Sequence, residues 1–277
     1  MQMSEETRLG RTPPFCRLAP TQLRRILGLA TTGRHPTGAV LFDEGQPVRR
    51  FHLLLSGHVR LVRMTVDGDQ IILLHIPEGQ MFGTGIAFGQ PVHQTCAVAA
   101  DTCVVLSWPN MLWPDFSMRY DGFAAETYRA CGARADEMSN RIVELSTKLV
   151  EQRIACALLR MISQSGRKVA GGIEIGFPLT RQIIADMTGT TLHTVSRVLS
   201  SWEKQGMLQS LRRHIVVKTP HRMVMMTGGG AAGLAEALLP TAIGPPDHAS
   251  AADTAARNSL RNSASSRPYS KQASTTV

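Results

Sequence analysis

The residues with the clearest chemical pattern lie between 180 and 199, where apolar side chains recur at helical spacing among polar ones. Ala185 is small enough for two helices to cross closely, Gly189 can adopt a positive φ in a tight turn, and Val195 falls on the inward face of a second helix. Thr191 is a good N-cap for that helix, because its hydroxyl can accept a backbone N–H bond. The spacing predicts a helix-turn-helix, whose second helix enters the major groove of DNA.

Positive charge is concentrated in the same part of the chain. The 277 residues carry a formal net charge of +9, from 30 Lys and Arg against 21 Asp and Glu. Residues 148–222 contain 12 basic and 4 acidic side chains, whereas residues 1–147 contain 14 of each. A basic module beside a neutral one is typical of a protein that binds a polyanion.

A long amphipathic helix is predicted over residues 121–150. Its apolar positions follow an uninterrupted heptad spacing, through Ala124, Tyr128, Cys131, Ala135, Met138, Ile142, Leu145 and Leu149. A stripe this narrow usually packs against a copy of itself. We therefore expect a homodimer through this helix; the alternative is a helix that lies across its own domain.

Residues 37–107 have the pattern of an antiparallel β structure. Short apolar segments are separated by turn residues, among them Asp67-Gly68, which is a strong hairpin signal. The predicted strands are Ala39–Phe42, Phe51–Leu55, Val59–Met64, Ile71–Ile76, Thr95–Val98 and Val104–Leu106. Strands at this spacing predict a barrel or a double-sheet roll. A helix at Leu18–Ala30 should precede it, after irregular residues 1–15, and a small hairpin at Leu208–Ser210 and Ile215–Val217 should follow the helix-turn-helix.

These segments together resemble the Crp/Fnr family of transcription regulators. The resemblance rests on Thr180-Arg181-Gln182, Gly189 and Thr194-Val195-Ser196-Arg197, on Glu151-Gln152-Arg153-Ile154-Ala155 at the end of the long helix, and on the turn glycines Gly45, Gly57, Gly79 and Gly83. It implies an α+β fold with an antiparallel, cyclic-nucleotide-binding-like β-roll sensor domain at 15–120, a dimerisation helix at 121–150 and a winged helix-turn-helix DNA-binding domain at 151–225.

The same resemblance implies a function. We expect a sequence-specific transcription regulator, an activator or a repressor and not an enzyme, that binds a palindromic operator in double-stranded DNA as a homodimer. An effector sensed in the roll should control it, and it should contact RNA polymerase in the cytoplasm.

The resemblance also assigns the residues that contact DNA. Thr180, Arg181 and Gln182 match positions that usually contact phosphates, which suits a helix N-terminus with free N–H groups and a cation. The base-reading face corresponds to Thr191, Leu192, His193, Ser196 and Arg197. Arg197 can pair with O6 and N7 of guanine. Family members commonly carry Glu in place of His193. The sequence of the DNA half-site should therefore differ from the half-site that is commoner in the family.

The effector is less constrained. Family members that bind cyclic AMP use a Glu for the ribose and an Arg for the phosphate, and the resemblance places Thr84 and Gln94 there. Cyclic AMP is therefore not expected, since a buried phosphate without a counter-charge is costly. Only Cys16 lies near the N-terminus, so no iron–sulfur cluster is expected. Haem stays open, with His52, His58, His75 and His93 as candidate axial ligands. Residues 187–197 are similar to the branch of the family that responds to nitrogen oxides.

Two other classes of protein fit the sequence less well. A metal-dependent cupin-type enzyme would need a His-x-His pair with a nearby Glu, and His75-Ile76-Pro77-Glu78 lacks the second His. A regulatory cyclic-nucleotide-binding subunit is disfavoured by Thr84, by Gln94 and by the helix-turn-helix itself.

The cysteine spacing, the apolar runs and the C-terminal composition each support one further expectation. Five cysteines without a CxxC motif predict neither a disulfide framework nor a zinc site, and suit reduced thiols in the cytoplasm. No run of 18 apolar residues occurs, so no membrane contact is expected. Residues 226–277, rich in Ala, Gly, Ser and Thr, are predicted to be a disordered tail with a short helix at Ala231–Leu239.

Overall fold

A computed structural model describes residues 5–228, except residues 67, 69, 212 and 213. All but the first three residues of the predicted tail, and the helix expected at Ala231–Leu239, therefore lie outside the described residues.

Two short helices precede the roll, α1 Glu5–Leu9 and α2 Pro20–Gly28. The first was not predicted, because its few apolar residues give no periodic signal. Leu9 and Phe15 are fully buried beside the ring of Trp108. The indole N–H of Trp108 donates to the carbonyl of Ile26 at 2.9 Å, which fastens the end of α2 to the roll.

Two four-stranded antiparallel sheets form the roll, as predicted. Their strands are β1 Thr31–His35, β2 Val40–Phe42, β3 Arg50–Ser56, β4 Val59–Met64, β5 Gln70–Ile76, β6 Met81–Phe82, β7 Cys96–Ala99 and β8 Cys103–Pro109. The strand orders are β1-β8-β3-β6 and β2-β7-β4-β5. Strand β1 was missed, because it is an edge strand whose sequence, Thr-Thr-Gly-Arg-His, lacks an apolar alternation.

The helical segment after the roll contains α3 Trp113–Arg119 and the long helix α4 Phe123–Thr147. The prediction carried this helix to residue 150, but Lys148 and Leu149 are extended, and Leu149 is the N-cap of helix α5 Val150–Ser165. The segment 151–155 therefore begins α5 instead of ending the long helix. No helix in the described part of the chain is long and apolar enough to cross a membrane.

The break between α4 and α5 is held by the end of the last described helix. The Lys148 ammonium donates to the carbonyl of Thr227 at 2.7 Å, and the Gln152 amide donates to the carbonyl of Met226 at 3.2 Å. These partners lie more than seventy residues away along the chain. The local apolar stripe, which continues to Leu149, gives no sign of them.

The C-terminal region is a winged helix-turn-helix. After α5 come β9 Gly166–Val169, β10 Gly172–Ile175, α6 Arg181–Thr188, α7 Leu192–Lys204, β11 Leu208–Leu211, β12 His214–Val217 and α8 Pro220–Met226. The sheet order is β11-β12-β10-β9, so the predicted hairpin is confirmed and β9 extends the sheet. Val62 and Ile72 of the roll belong to the same buried cluster as the core of this region.

Candidate nucleic-acid interface

The turn between α6 and α7 has the predicted geometry. Gly189 has φ 58° and ψ 48°, a left-handed conformation that glycine adopts without steric cost. Ala185 is buried where the helices cross, and its carbonyl accepts the N–H of Thr190 at 3.2 Å. A Cβ at residue 189 would lie 3.4 Å from the Cδ2 atom of Leu145. The turn therefore packs against the long helix α4.

Both helices of the motif begin at a threonine cap. The hydroxyl of Thr180 accepts the N–H of Ile183, and the hydroxyl of Thr191 accepts the N–H of Thr194, each at 3.2 Å. An N-cap of this kind satisfies one of the free N–H groups at a helix start. Thr180 is thus engaged within the protein, although its position was predicted to contact phosphate.

Helix α7 has one buried face and one open face. The buried side chains are Val195, Val198, Leu199 and Trp202. The structure places four residues of the predicted base-reading set on the solvent side, Thr191, Leu192, His193 and Arg197, with Ser196 half-buried at its edge. The five side chains thus share one accessible surface that offers donors, acceptors and an apolar group.

The other two predicted phosphate contacts have partners in the protein. The Arg181 guanidinium lies 3.8 Å from a carboxylate oxygen of Glu203, and the Gln182 amide donates to the Asp186 carboxylate at 2.7 Å. Both pairs are accessible to solvent, so exchanging them for a phosphate costs little. Glu203 was missed by the sequence analysis, since it is a full helix away from Arg181.

The basic charge of this region divides between its surface and its interior. Exposed basic side chains include Arg167, Lys168, Lys204, Lys218 and Arg222. Arg160 instead faces inward, with its guanidinium 3.0 Å from the carboxylate of Glu144. The sequence count therefore overstates the charge that this region presents to a polyanion.

A ring cluster joins the roll to the winged domain. Phe177, in the loop before α6, stacks on His75 with ring centroids 4.9 Å apart and lies 4.7 Å from the ring of His58. The Nδ1 atom of His58 is 2.9 Å from the Asp101 carboxylate. His75 is buried and neither of its ring nitrogens has a partner. Burial, reinforced by Arg60, lowers the pKa of His75 to about 3.

The other two candidate haem ligands lie inside the roll. His52 bonds Ser107 through Nδ1 at 2.8 Å, and His93 stacks on Phe42 at 3.7 Å. Burial, with the nearby charge of His93 second, lowers the pKa of His52 to about 3. The four histidines thus form two separate pairs. Within the described ranges, no group of three or more His, Cys, Asp or Glu is arranged to hold a metal ion.

The seam between the roll and α4 contains a polar cluster around Thr84. Thr84 is buried, and its hydroxyl lies 3.7 Å from the thiol of Cys131. Arg134, also on α4, donates to the side-chain oxygen of Gln80 at 3.0 Å and to the carbonyl of Met81. Burial lowers the pKa of this guanidinium.

Arg134 was not predicted, because it lies on α4 and not within the roll. Its partners are an amide and a backbone carbonyl, which leave no charge pattern in the sequence. Gln94, in contrast, is exposed, and its amide donates to the carbonyl of Val92 at 3.3 Å. Thr84 and Gln94, which stand where family members that bind cyclic AMP carry Glu and Arg, therefore lie in different environments. Thr84 is buried in the seam and Gln94 is at the surface.

Comparisons with known proteins agree with this architecture. A profile of the Crp-like helix-turn-helix domain matches residues 152–225, and one of the cyclic nucleotide-binding domain matches residues 33–120. Electron transport regulator A of Shewanella oneidensis is 24% identical over 191 residues, which cover 69% of this chain and 76% of that protein. The CRP-like cAMP-activated global transcriptional regulator of Mycobacterium tuberculosis is 22% identical over 215 residues, 78% of this chain and 96% of its own. The solved structure of FixK2 from Bradyrhizobium japonicum aligns with a TM-score of 0.64 and 25% identity, covering 71% of this chain and 96% of that one.

The buried His75 should make folding stability depend on pH. Its pKa is about 3 in the folded protein against 6.5 ordinarily, so the unfolded chain takes up the proton first. The stabilisation is complete above pH 6.5 and is lost as the pH falls from 6.5 towards 3. In His75→Phe the stacking on Phe177 persists without a titrating group. Between pH 7.5 and 5, we expect the urea-unfolding free energy of His75→Phe to fall less than that of the wild type. The difference between the two should grow by about 1.4 kcal/mol for each pH unit below 6.5. The exposed His221→Phe is the control, and equal pH slopes for wild type and His75→Phe would contradict the assignment.

Proposed function

The chain belongs to the Crp/Fnr family of DNA-binding transcription regulators, and from this premise we propose that it binds a palindromic operator as a homodimer under control of an effector sensed in the roll. The observation that carries the proposal is the open face of α7, which rises from a buried helix-turn-helix core. The relatives are transcription regulators, so neither a cupin-type enzyme nor a regulatory subunit of an enzyme is supported.

The roles of the DNA-contacting residues follow from where they lie. We assign base reading to Thr191, Leu192, His193, Ser196 and Arg197. Leu192 offers an apolar surface suited to a thymine methyl group, and the Arg197 guanidinium suits the two acceptors of guanine. Thr180, Arg181 and Gln182, at the start of α6, are assigned to the phosphate backbone. There the free N–H groups of a helix N-terminus favour an anion.

Dimerisation is assigned to the apolar stripe of α4. In the protomer four of its large side chains are exposed, Tyr128 by 45%, Met138 by 40%, Ile142 by 65% and Leu145 by 45%. Exposed apolar residues at heptad spacing are stabilised by packing against a second helix of the same kind. The adjoining face of α4 packs on the roll, so one helix serves both arrangements that the sequence left open.

The effector and the cellular context are assigned more coarsely. Thr84 and Gln94 offer neither the carboxylate nor the guanidinium that cyclic AMP requires, so we propose that it is not the effector, although one relative is named as cAMP-activated. Haem and a response to nitrogen oxides stay predictions. We also propose that the regulator contacts RNA polymerase in the cytoplasm, where the five free thiols would stay reduced.

Cyclic AMP should not bind with micromolar affinity. Titration of the protein with cyclic AMP in a calorimeter should give no saturable heat, because the phosphate would find no counter-charge in the roll. Operator affinity should also be the same with and without the nucleotide. A micromolar dissociation constant would show that another residue, such as Arg134, supplies the missing charge.

Ile142→Lys should dissociate the dimer. The side chain is exposed in the protomer, so the substitution leaves the fold intact but places a charge in the seam. Light scattering at micromolar concentration should show dimers for wild type and monomers for Ile142→Lys, which should bind operator weakly. Asn140→Lys, on another face of α4, is the matched control and should stay dimeric. Monomeric wild-type protein would refute the assignment.

Arg197 and Arg181 should have different effects on operator binding, measured on a library of randomised operators. Arg197→Ala should cost about 1–3 kcal/mol per half-site and relax the preference at one base pair. Arg181→Ala should weaken binding to all operator sequences alike and reduce the salt dependence of that binding.

Two further variants sharpen this test. Glu203→Gln frees Arg181 from its carboxylate and should strengthen binding to every sequence. His193→Glu should shift the preference towards the commoner half-site of the family. Identical sequence preferences for wild type, Arg197→Ala and His193→Glu would rule out this face as the reader.

A further inference from the structure

We propose that Arg141 is a latch between the sensor roll and the helix-turn-helix, which fixes the orientation of the recognition helix relative to the dimer axis. The inference rests on the proposed function, because only a dimeric DNA-binding protein would use such an orientation. The docking itself, however, can be measured without DNA.

The guanidinium of Arg141 joins three elements. From its place on α4, its Nη1 atom donates to the carbonyls of Ile72, at 2.9 Å, and Leu73, both on β5 of the roll. Its Nη2 atom donates to the carbonyl of Met187 on α6 at 2.6 Å. One side chain therefore connects the sensor domain, the long helix and the first helix of the DNA-binding motif.

The chemistry at the α6 end suits a cation. Met187 lies in the last turn of α6, where carbonyls lack helical partners and the helix dipole is negative. A guanidinium can donate in several directions from one rigid plane, which an ammonium on a flexible stem cannot reproduce. Hydrogen bonds from a charged donor are also stronger than neutral ones.

A largely buried ionic network lies near Arg141. Arg160 on α5 pairs with Glu144 at 3.0 Å and lies 3.6 Å from Glu137, both on α4. The amide of Gln164 donates to Glu137 at 3.0 Å. Burial lowers the pKa of Arg141, with Arg160 as the second cause, while the two glutamates oppose that shift. The carboxylates on its own helix therefore offset part of the cost of burying this cation.

Two apolar contacts also join the DNA-binding region to α4 and to the roll. Leu145 packs near the turn at Gly189, and Phe177 stacks on His75 of the roll. None of these contacts covers His193 or Arg197, which stay exposed. Docking therefore leaves the reading face open and constrains only its direction. Since α4 is the proposed dimer helix, the latch sets the separation of the two recognition helices.

The first test measures docking by hydrogen–deuterium exchange of the full-length protein without DNA. In Arg141→Gln the amides of α6 and of residues 176–180 should exchange at least tenfold faster, with strand β3 unchanged. Arg129→Gln, an exposed arginine of α4 paired with Glu126, is the matched control and should match wild type. Unchanged exchange in α6 would overturn the latch. Arg141→Lys keeps the charge but cannot bond all three carbonyls at once. If the Gln variant does not fold, the Lys variant should show the same faster exchange in α6.

The second test uses the spacing of the operator half-sites. One base pair inserted between them rotates and displaces the second half-site, so a rigid dimer should bind the altered operator much more weakly. We expect this penalty to be at least tenfold smaller for Arg141→Gln than for wild type or Arg129→Gln. An equal penalty would overturn the proposed control of orientation. Loss of the proposed function itself would appear differently, as wild-type protein without preference for any inverted repeat.

Discussion

Helix α4 has to pack against its own protomer along one face while it keeps an apolar stripe exposed along another. Phe123 and Thr127 are buried on the protomer side, and Arg134 and Arg141 continue that side towards the C-terminal end. The exposed stripe runs beside them at heptad spacing. Because one helix carries both faces, a displacement of the roll would reach the proposed dimer seam and the DNA-binding domain together.

Much of the fold could be predicted from the sequence, because its signals are local. The alternation of the strands, the heptad spacing and the residues Ala185, Gly189 and Val195 each report on their own element. The proposed base-reading set follows from the family resemblance of the same motif and stays a prediction. Strand β1 was not predicted, because an edge strand needs no apolar alternation. The break at Lys148 was not predicted, because the residues that hold it, Met226 and Thr227, lie at the far end of the domain.

The connections between domains could not be predicted for a related reason. Arg134 and Arg141 donate mainly to backbone carbonyls, which every residue possesses, so no complementary charge marks their partners. The stacking of Phe177 on His75 likewise joins two residues that would each be assigned to a separate core. Residues that build a domain leave periodic patterns, whereas residues that join two domains depend on an arrangement known only after both have folded.

The accessible face of α7, if it reads bases as proposed, has a consequence for the search for a target. The proposed recognition helix is accessible in the protomer, and the same domain has exposed Lys and Arg side chains, so it would retain its electrostatic attraction for any DNA. Non-specific binding of this kind typically has dissociation constants of roughly 10⁻⁴ to 10⁻⁶ M. A genome offers an excess of such sites, so the regulator would spend its inactive periods distributed along the chromosome. Its signal would then redistribute molecules that are already bound, and the response time would be set by sliding and transfer along DNA instead of by encounter from solution.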